Sequence, residues 1–270
     1  MKGTLSIFPH GTHRMAKTRE GGWHMPFLFL SPSTQEYNPY VNYGDEETWM
    51  NALADAMEPY LRASGVNVTR NAPSETVSGS IRRSNTGNYD FHLALHSNAA
   101  PAALAGRLRG IDLYYYPGRT EAERMTGLLQ ETLEVVYPLP ERVRSVTSTS
   151  LAEIRDTKAP AVLAELGYHD NLEDALWIQG NLDEIARALV LAVTEYFSLP
   201  FLLPEEERGG IAVQSGGNLN LRGGPGTRFP VIGKSPQGAS LTVISRYGDW
   251  MVVEYQGTVG YVNAAYVRAA

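Results

Sequence analysis

Short apolar runs alternate with longer amphipathic segments along residues 26–200. The apolar runs at 26–30, 66–69, 89–95, 111–116 and 161–166 are typical of strands that are buried on both faces. Apolar residues recur at helical spacing in four longer segments, 45–63, 76–84, 120–136 and 182–197. Because strands and helices alternate, we expect an α/β domain whose parallel or mixed sheet is covered by helices on both faces.

The last part of the chain follows a different pattern. The segment at 201–210 contains proline and a charge run and ends in two glycines, which is typical of a linker. The short runs after it, LTVIS, WMVVEY and VGYV, are separated by turn residues and predict a small all-β barrel. We therefore expect a poorly specified leader at 1–24, an α/β domain at 25–200, this linker, and a barrel at 211–270.

Composition and charge narrow the classes of protein. The 270 residues have an ordinary globular composition, with 43% hydrophobic and 19% charged residues. The formal net charge of -6 disfavours nucleic acid as a partner, and no apolar run is long enough for a membrane helix. The chain has no cysteine, which excludes disulfides, thiolate metal sites and cysteine nucleophiles. We expect a monomer.

The first residues lack the uninterrupted apolar core of a secretory signal. An apolar run follows Met25 directly, so we expect Met25 rather than Met1 to be the true start. This leaves release by a phage lysin route or by lysis of a mother cell open beside ordinary export.

The tail resembles the bacterial SH3 family along its whole length. Its matching motifs are LNLR with GP at 219–225, VIG at 231–233, LTV at 241–243, DW at 249–250 and GYV at 260–262. The resemblance implies an SH3-like barrel that binds cell-wall peptide or glycan and performs no catalysis. It also implies that Trp250 and Tyr261 are core or groove-wall residues, and we take both as candidates for substrate binding.

The first two hundred residues resemble the zinc-dependent N-acetylmuramoyl-L-alanine amidases of the type-3 fold. Four segments carry the resemblance: ETWMNALA at 47–54, YDFHLALHSNA at 89–99, LAEIRDTKAP at 151–160 and AVLAELGYHDN at 161–171. Their order, spacing and strand context agree with that family. The resemblance implies hydrolysis of the amide between N-acetylmuramic acid and L-alanine in peptidoglycan, with Zn2+ as the cofactor.

The resemblance also implies roles for particular residues. Glu47 and His96 would be zinc ligands, with family register favouring Glu47 over the adjacent Glu46. Asn98 would contact substrate, and Glu165 would be the catalytic glutamate. The residue types suit these roles, because zinc takes nitrogen and carboxylate ligands and leaves one position open for water. Glu165 lies in an apolar strand, where burial should raise the pKa of its carboxyl as a general acid/base requires.

One ligand is missing from this pattern. The family carries a histidine in a motif like Asp-Pro-Gly-His-Gly-Gly, whereas this chain has SPSTQ at 31–35, as in a subgroup of these amidases. His169, four residues after Glu165, is the favoured third ligand or a donor to the substrate amide. Gln35 or Asn38 would be weaker oxygen ligands, and His10, in IFPHG, is a more distant alternative. The strand spacing places His92 too far from His96 for the same ion, so it is given a structural role.

Three functions remain open on these residues. The first is the peptidoglycan amidase, acting outside the cell or at the cell wall as an autolysin or a phage endolysin. The second is a catalytically impaired protein that binds wall fragments, which the missing histidine would explain. The third is a zinc peptidase that cuts the stem peptide by the same metal chemistry.

Overall fold

A computed structural model describes residues 26–205, 208–213 and 217–269. The predicted leader at 1–24, the proposed start at Met25 and the candidate ligand His10 lie outside the described residues. The elements of the first domain are, in chain order, β1 (Phe27–Pro32), α1 (Glu46–Ala63), β2 (Asn67–Arg70), α2 (Val77–Thr86), β3 (Phe91–Asn98), β4 (Ile111–Tyr115), α3 (Thr120–Val136), β5 (Val143–Thr147), α4 (Ala152–Arg155), β6 (Ala161–Tyr168), α5 (Leu172–Gly180) and α6 (Leu182–Tyr196).

The described strands of this domain form one six-stranded mixed sheet in the order β2-β1-β3-β6-β4-β5. Strands β2, β1, β3 and β6 run parallel, β4 runs antiparallel to β6, and β5 is parallel to β4. The predicted α/β class with a mixed sheet is confirmed. The carboxyl ends of β1, β3 and β6 meet at one edge, which is where open α/β sheets bind ligands.

Helices cover both faces of the sheet, as predicted. On one face, α1, α3 and α6 pack over a core that includes the fully buried Leu93, Leu95 and Leu113. On the other face, Ile154 of α4 packs against Ala94 and Leu163, and α2 packs against α4. Every residue of β3 before Asn98 is buried, which explains why the strand appears in the sequence as a continuous run.

Helix α1 begins at Glu46 because Asp45 caps it. The Asp45 side chain accepts a hydrogen bond from the backbone N–H of Thr48 at 2.7 Å. Glu46, Met50 and Leu53 follow at positions i, i+4 and i+7 and are all buried, so they lie on one stripe of the helix. The cap therefore turns the first acid of the helix inward toward the carboxyl end of the sheet.

The second domain is an antiparallel β structure. Its elements are β7 (Arg208–Val213), β8 (Leu219–Arg222), β9 (Val231–Ser235), β10 (Ser240–Tyr247), β11 (Trp250–Tyr255), β12 (Thr258–Asn263) and β13 (Val267–Ala269). The described strands are ordered β13-β7-β10-β11-β12-β8-β9. Its interior is filled by the buried aliphatic side chains of Leu219, Leu221, Leu241, Val243, Val253 and Val262. The predicted all-β SH3-like barrel is confirmed.

The barrel packs directly on the end of α1. The Tyr261 hydroxyl donates to the Ser64 carbonyl at 2.8 Å, and the Ser245 hydroxyl donates to the Ala63 carbonyl at 2.5 Å. Gly65 has a φ of +78°, and a Cβ there would lie 2.4 Å from the Tyr261 ring. A glycine is therefore needed both for the turn after α1 and for the approach of the barrel.

This packing corrects the assignment of Tyr261 to substrate binding. Its side chain is 0% exposed because it fills the boundary between the two domains. A ring in that place cannot contact a ligand from solvent. Trp250 is partly buried and packs against the shared core, and its role in binding stays a prediction.

The part of the predicted linker that the structure describes before residue 206 contacts both domains. The backbone N–H of Leu202 donates to the Ser64 hydroxyl at 2.9 Å, and that of Glu205 donates to the Ile244 carbonyl at 3.2 Å. Strand β7 begins at Arg208, so the barrel sheet starts within the predicted linker. Among the described residues, no helix is long and apolar enough to span a membrane.

Candidate active site

Four ionisable residues form a row across the sheet. Strand pairing places His96 of β3 beside Glu165 of β6, Glu165 beside Asp112 of β4, and Asp112 beside Arg144 of β5. Paired residues on neighbouring strands project from the same face, so all four side chains lie on the face that α4 partly covers. Arg144 is 60% exposed and holds the buried Asp112 through a 2.9 Å hydrogen bond from Nε.

The Nε2 side of the His96 ring faces a closed cluster. Nε2 lies 2.9 Å from Glu153 Oε2, while the other oxygen of that carboxylate lies 3.3 Å from His92 Nε2 and accepts from the Ser31 hydroxyl at 2.7 Å. His92 Nδ1 is 3.0 Å from the Ser84 hydroxyl. All five side chains are buried, so this cluster fixes the orientation of His96 without offering an opening to substrate.

The Nδ1 side of the same ring faces a second carboxylate and an amide. Nδ1 lies 2.8 Å from Glu46 Oε1 and 3.2 Å from Gln35 Nε2. Asn38 Nδ2 donates to Glu46 Oε2 at 2.7 Å and to Gln35 Oε1 at 3.0 Å. Glu46, Gln35 and Asn38 therefore form the wall of the site around Nδ1.

Mutual hydrogen bonding sets the charges of this cluster. Burial opposes the charged form of Glu153, but the hydrogen bonds from His92 and His96 outweigh it and hold the pKa of Glu153 well below its usual range. The pKa of Glu46 is lowered for the same reason, with His96 and Asn38 overcoming burial. The pKa of His96 is raised well above its usual value, because its carboxylate partners outweigh burial. Two carboxylates thus flank the ring, and both favour its protonated form.

Glu165 differs from the other acids of the site. Among the residues that the structure describes, its Oε2 is shielded from solvent and has no hydrogen-bond partner. Burial raises the pKa of Glu165 to about 7, and the charges of Glu46, Asp112 and Glu153 add to this effect while His96 opposes it. A carboxyl group that titrates near neutral pH is suited to accept a proton and to return it.

The structure brings some of the predicted site residues together and not others. His96 and Glu165 are neighbours, as the strand-end pattern predicted. The predicted ligand Glu47 does not face His96: one residue along the helix rotates the side chain by about 100°, so Glu47 is partly exposed, while the adjacent Glu46 is 1% exposed and contacts His96. Asn98 is partly exposed at the end of β3, and its side chain accepts from the Ala99 N–H at 2.9 Å.

His169 does not reach the His96 cluster. Its Nδ1 donates to the Ser97 carbonyl at 2.9 Å, and its ring stacks on Tyr40 with 5.6 Å between centroids. These contacts hold the ring beside Ser97 and Tyr40, and the role of His169 as third ligand or as a donor to the substrate amide stays a prediction. The structure adds Glu153, which the sequence did not indicate, and places Glu46, the acid that family register passed over, against His96.

Comparison with known proteins agrees with this geometry. The sequence profile of the N-acetylmuramoyl-L-alanine amidase family matches residues 37–195, which is more than half of the chain. The chain belongs to this amidase family. The matched region contains the described strand-end residues of the site, and the profile of the bacterial SH3 domain matches residues 217–268.

Two named relatives share parts of the amidase chain. The protein YrvJ of Bacillus subtilis (strain 168), which carries the name of an N-acetylmuramoyl-L-alanine amidase, is 40% identical over 52 residues, 19% of this chain and 10% of YrvJ. The endolysin of Bacillus phage SPP1 is 26% identical over 125 residues, which are 44% of each chain. The chain thus spans less than half the length of the relatives that it matches.

Solved structures share the amidase fold. AmiC2 of Nostoc punctiforme is 16% identical with a TM-score of 0.55, covering 66% of this chain and 99% of that one. The amidase of Clostridium difficile 630 is 16% identical with a TM-score of 0.57, covering 65% and 98%. The catalytic domain of the CD27L endolysin, which targets Clostridia difficile, is 23% identical with a TM-score of 0.52, covering 63% and 97%.

The amidase family is generally zinc-dependent, so the fit of a divalent cation can be tested on these residues. Within residues 26–205, 208–213 and 217–269, no three His, Cys, Asp or Glu side chains converge to hold an ion, since Glu153 and Glu46 lie on opposite sides of His96. The Nδ1 side does fit a cation with two protein ligands. His96 Nδ1 and Glu46 Oε1 are adjacent there, and Glu153 orients the ring as a carboxylate commonly orients a metal-binding histidine.

Proposed function

We propose that the chain hydrolyses the amide bond between N-acetylmuramic acid and L-alanine in peptidoglycan. The observation that carries this proposal is Glu165, whose shielded Oε2 has no partner among the described residues and whose pKa is about 7. It lies beside His96 at the carboxyl end of the sheet, in a chain of the amidase family. This is the arrangement that proton transfer to and from a reacting amide requires.

The cofactor in this proposal is Zn2+, held by His96 Nδ1 and Glu46 Oε1. When bound, zinc polarises the amide carbonyl and lowers the pKa of an attacking water toward about 7. Glu46 and Glu153 lie on the two sides of His96, so a divalent cation on the Nδ1 side would offset the negative charge of these carboxylates. Glu153 keeps the Nε2 proton in place and thereby leaves Nδ1 as the ligand atom.

Glu165 moves the protons of the reaction. The Glu165 carboxylate takes a proton from the attacking water, and the carboxyl group then passes a proton to the leaving nitrogen of L-alanine. Both transfers are favourable near neutral pH because the pKa of Glu165 lies close to it. Asn98, which is partly exposed at the end of β3, is proposed to contact the substrate.

The barrel supplies binding to the wall in this proposal. The bacterial SH3 match supports peptidoglycan as its target, and the partly buried Trp250 is the remaining candidate for a ligand contact there. Such a protein acts outside the cell or at the cell wall, as an autolysin or an endolysin. We propose that it acts as a monomer and that neither nucleic acid nor membrane is its partner.

The test is digestion of purified peptidoglycan with the full chain and zinc, followed by mass analysis of the products. We expect intact stem peptides beginning with L-alanine to separate from intact glycan. The Glu165→Gln variant should bind the same wall fraction and lose at least about a hundredfold in rate, the usual size of a general acid/base contribution.

Two outcomes would contradict the amidase. Release of shortened stem peptides would identify a peptidase acting by related chemistry. Wall binding by both proteins without any release, under conditions where zinc is bound, would identify a binding protein. A matched control is Glu131→Gln, which makes the same change at an exposed position in α3 and should leave the rate unchanged.

A further inference from the structure

The SPSTQ segment places an amide where the zinc site of the proposed function lacks a ligand. Gln35 is the last residue of this segment, and its side chain is partly buried next to His96. The Glu46 carboxylate approaches the same ring nitrogen from α1. Three side chains from three separate parts of the chain therefore meet at His96 Nδ1.

The contacts of Nδ1 make opposite demands in the free protein. A carboxylate 2.8 Å away requires Nδ1 to carry a proton, whereas an amide NH2 group 3.2 Å away requires Nδ1 to accept one. A single ring nitrogen meets only one of these demands at a time. Half a turn of the Gln35 amide plane would bring its oxygen to face the same space as Glu46 Oε1. The space would then be bordered by one nitrogen and two oxygens, which is a donor set for a divalent cation.

The Asn38 amide contacts both Glu46 and Gln35. It donates to Glu46 Oε2 at 2.7 Å, whereas Glu46 Oε1 lies 2.8 Å from His96 Nδ1 and accepts from the Ser97 N–H at 3.4 Å. Asn38 also donates to Gln35 Oε1 at 3.0 Å, and the half turn gives up this hydrogen bond because the Gln35 NH2 group would then face the Asn38 NH2 group. Tyr37 donates to the same Gln35 oxygen at 3.3 Å. The Tyr37 hydroxyl accepts as readily as it donates, so it remains a partner for the amide after the half turn.

We propose that the side-chain oxygen of Gln35 is the third protein ligand of the metal ion, together with His96 Nδ1 and Glu46 Oε1. This inference rests on the proposed function for the presence of the metal. It assigns the third ligand to the SPSTQ loop in place of His169, whose Nδ1 donates to the Ser97 carbonyl. An amide is a weak ligand for zinc, so the site should bind the ion less tightly than one with a histidine at this position.

The test measures metal binding rather than catalysis. The full chain is freed of metal with a chelator, and zinc affinity is measured by competition with a chromophoric chelator. We expect one zinc per chain in the parent protein and a Kd that is at least about tenfold weaker in Gln35→Ala. Gln35→His and Gln35→Glu should bind zinc more tightly than the parent, because each places a stronger ligand at the same point.

Cobalt provides a second readout that loss of packing alone would not give. The visible absorption of bound Co2+ reports its ligands, so its bands should change between the parent and Gln35→His. The matched control is Glu36→Gln, an exposed neighbour in the same loop, which should change neither the affinity nor the bands. Circular dichroism of the metal-free proteins verifies that each variant is folded.

The outcomes separate this inference from the proposed function. Equal zinc affinity and identical cobalt bands in the parent, Gln35→Ala and Gln35→His would overturn the role of Gln35 and leave the amidase proposal standing. Absence of zinc binding by the parent protein would also overturn the role of Gln35 as a metal ligand. Weaker binding by Gln35→Ala in a protein that releases no stem peptide would support the ligand and contradict the amidase.

Discussion

Replacing Glu165 by glutamine should stabilise the metal-free protein at alkaline pH. The folded protein holds the pKa of Glu165 at about 7 because the carboxyl group is buried, whereas the ordinary value is 4.5. Above pH 7 the Glu165 carboxyl is ionised in both states, but its charge is exposed to water in the unfolded chain and shielded from water in the folded protein. At 1.36 kcal/mol per pH unit, the difference between these pKa values corresponds to roughly 3 kcal/mol.

The sign of the pH dependence follows from proton counts. Between pH 4.5 and about 7 the folded state retains a proton that the unfolded state has lost, so the free energy of unfolding falls as pH rises. Below this window both states are protonated, and above it both are ionised. Glutamine has no proton to lose, so Glu165→Gln should match the parent at pH 4 and exceed it by roughly 3 kcal/mol at pH 8.

Urea unfolding in chelator, repeated at half-unit steps from pH 4 to pH 9, measures this difference. The exposed Glu131→Gln variant controls for loss of one carboxylate anywhere on the protein. A Glu165→Gln variant that is no more stable than the parent at pH 8, or equally more stable at pH 4 and pH 8, would refute the reasoning. Either result would mean that burial does not raise the pKa of this carboxyl group.

Three further perturbations test other contacts. Asp174→Asn should cost about 3 to 5 kcal/mol of unfolding free energy, because the fully buried Asp174 accepts from Arg109 at 2.8 Å and from Tyr137 at 2.7 Å. Tyr261→Phe should cost about 1 kcal/mol by removing one hydrogen bond between the barrel and α1, measured in urea. Glu153→Gln should weaken zinc binding by about tenfold or more, because it removes the carboxylate that orients His96; chelator competition measures it.

Each of these perturbations has a control. Glu173 also pairs with Arg109 but is 70% exposed, so Glu173→Gln should cost less than about 1 kcal/mol. Tyr247→Phe removes a hydroxyl from a half-exposed tyrosine of the same barrel. Glu141→Gln changes an exposed acid. If a control variant changes the measured stability or zinc affinity as much as the variant it is matched to, the effect comes from the change of residue type and not from the named contact.

The sequence predicted the elements whose polarity matches their burial. Helix α1 and strands β3 and β6 carry continuous apolar stripes or runs, and the structure places these in the core. Helix α5 escaped notice because its pattern is inverted: Leu172 is 52% and Leu176 is 53% exposed, while Asp174 is fully buried by its ion pair. Strand β5 escaped notice because it is an edge strand, with Val143 as its only buried residue.

The site was predictable only in part for related reasons. His96 and Glu165 stand at strand ends, where the carboxyl edge of a sheet collects functional residues. The choice between two adjacent acids depended on helix phase, and the buried stripe through Met50 and Leu53, extended by one turn, selects Glu46. Glu153 lies in a helix of four residues, which is too short for any periodicity to reveal its inward face.

Helix α1 connects the two working ends of the molecule. Glu46 stands at its first residue beside His96, and the barrel is fastened to its last turn through Ala63 and Ser64. Its 18 residues correspond to about 27 Å, so the helix sets a fixed distance between the barrel and the site at His96. If the barrel binds a peptidoglycan strand as proposed, that strand would reach Glu165 at a set distance from the point where the barrel binds it. The positions of successive cuts would then reflect the length of one helix.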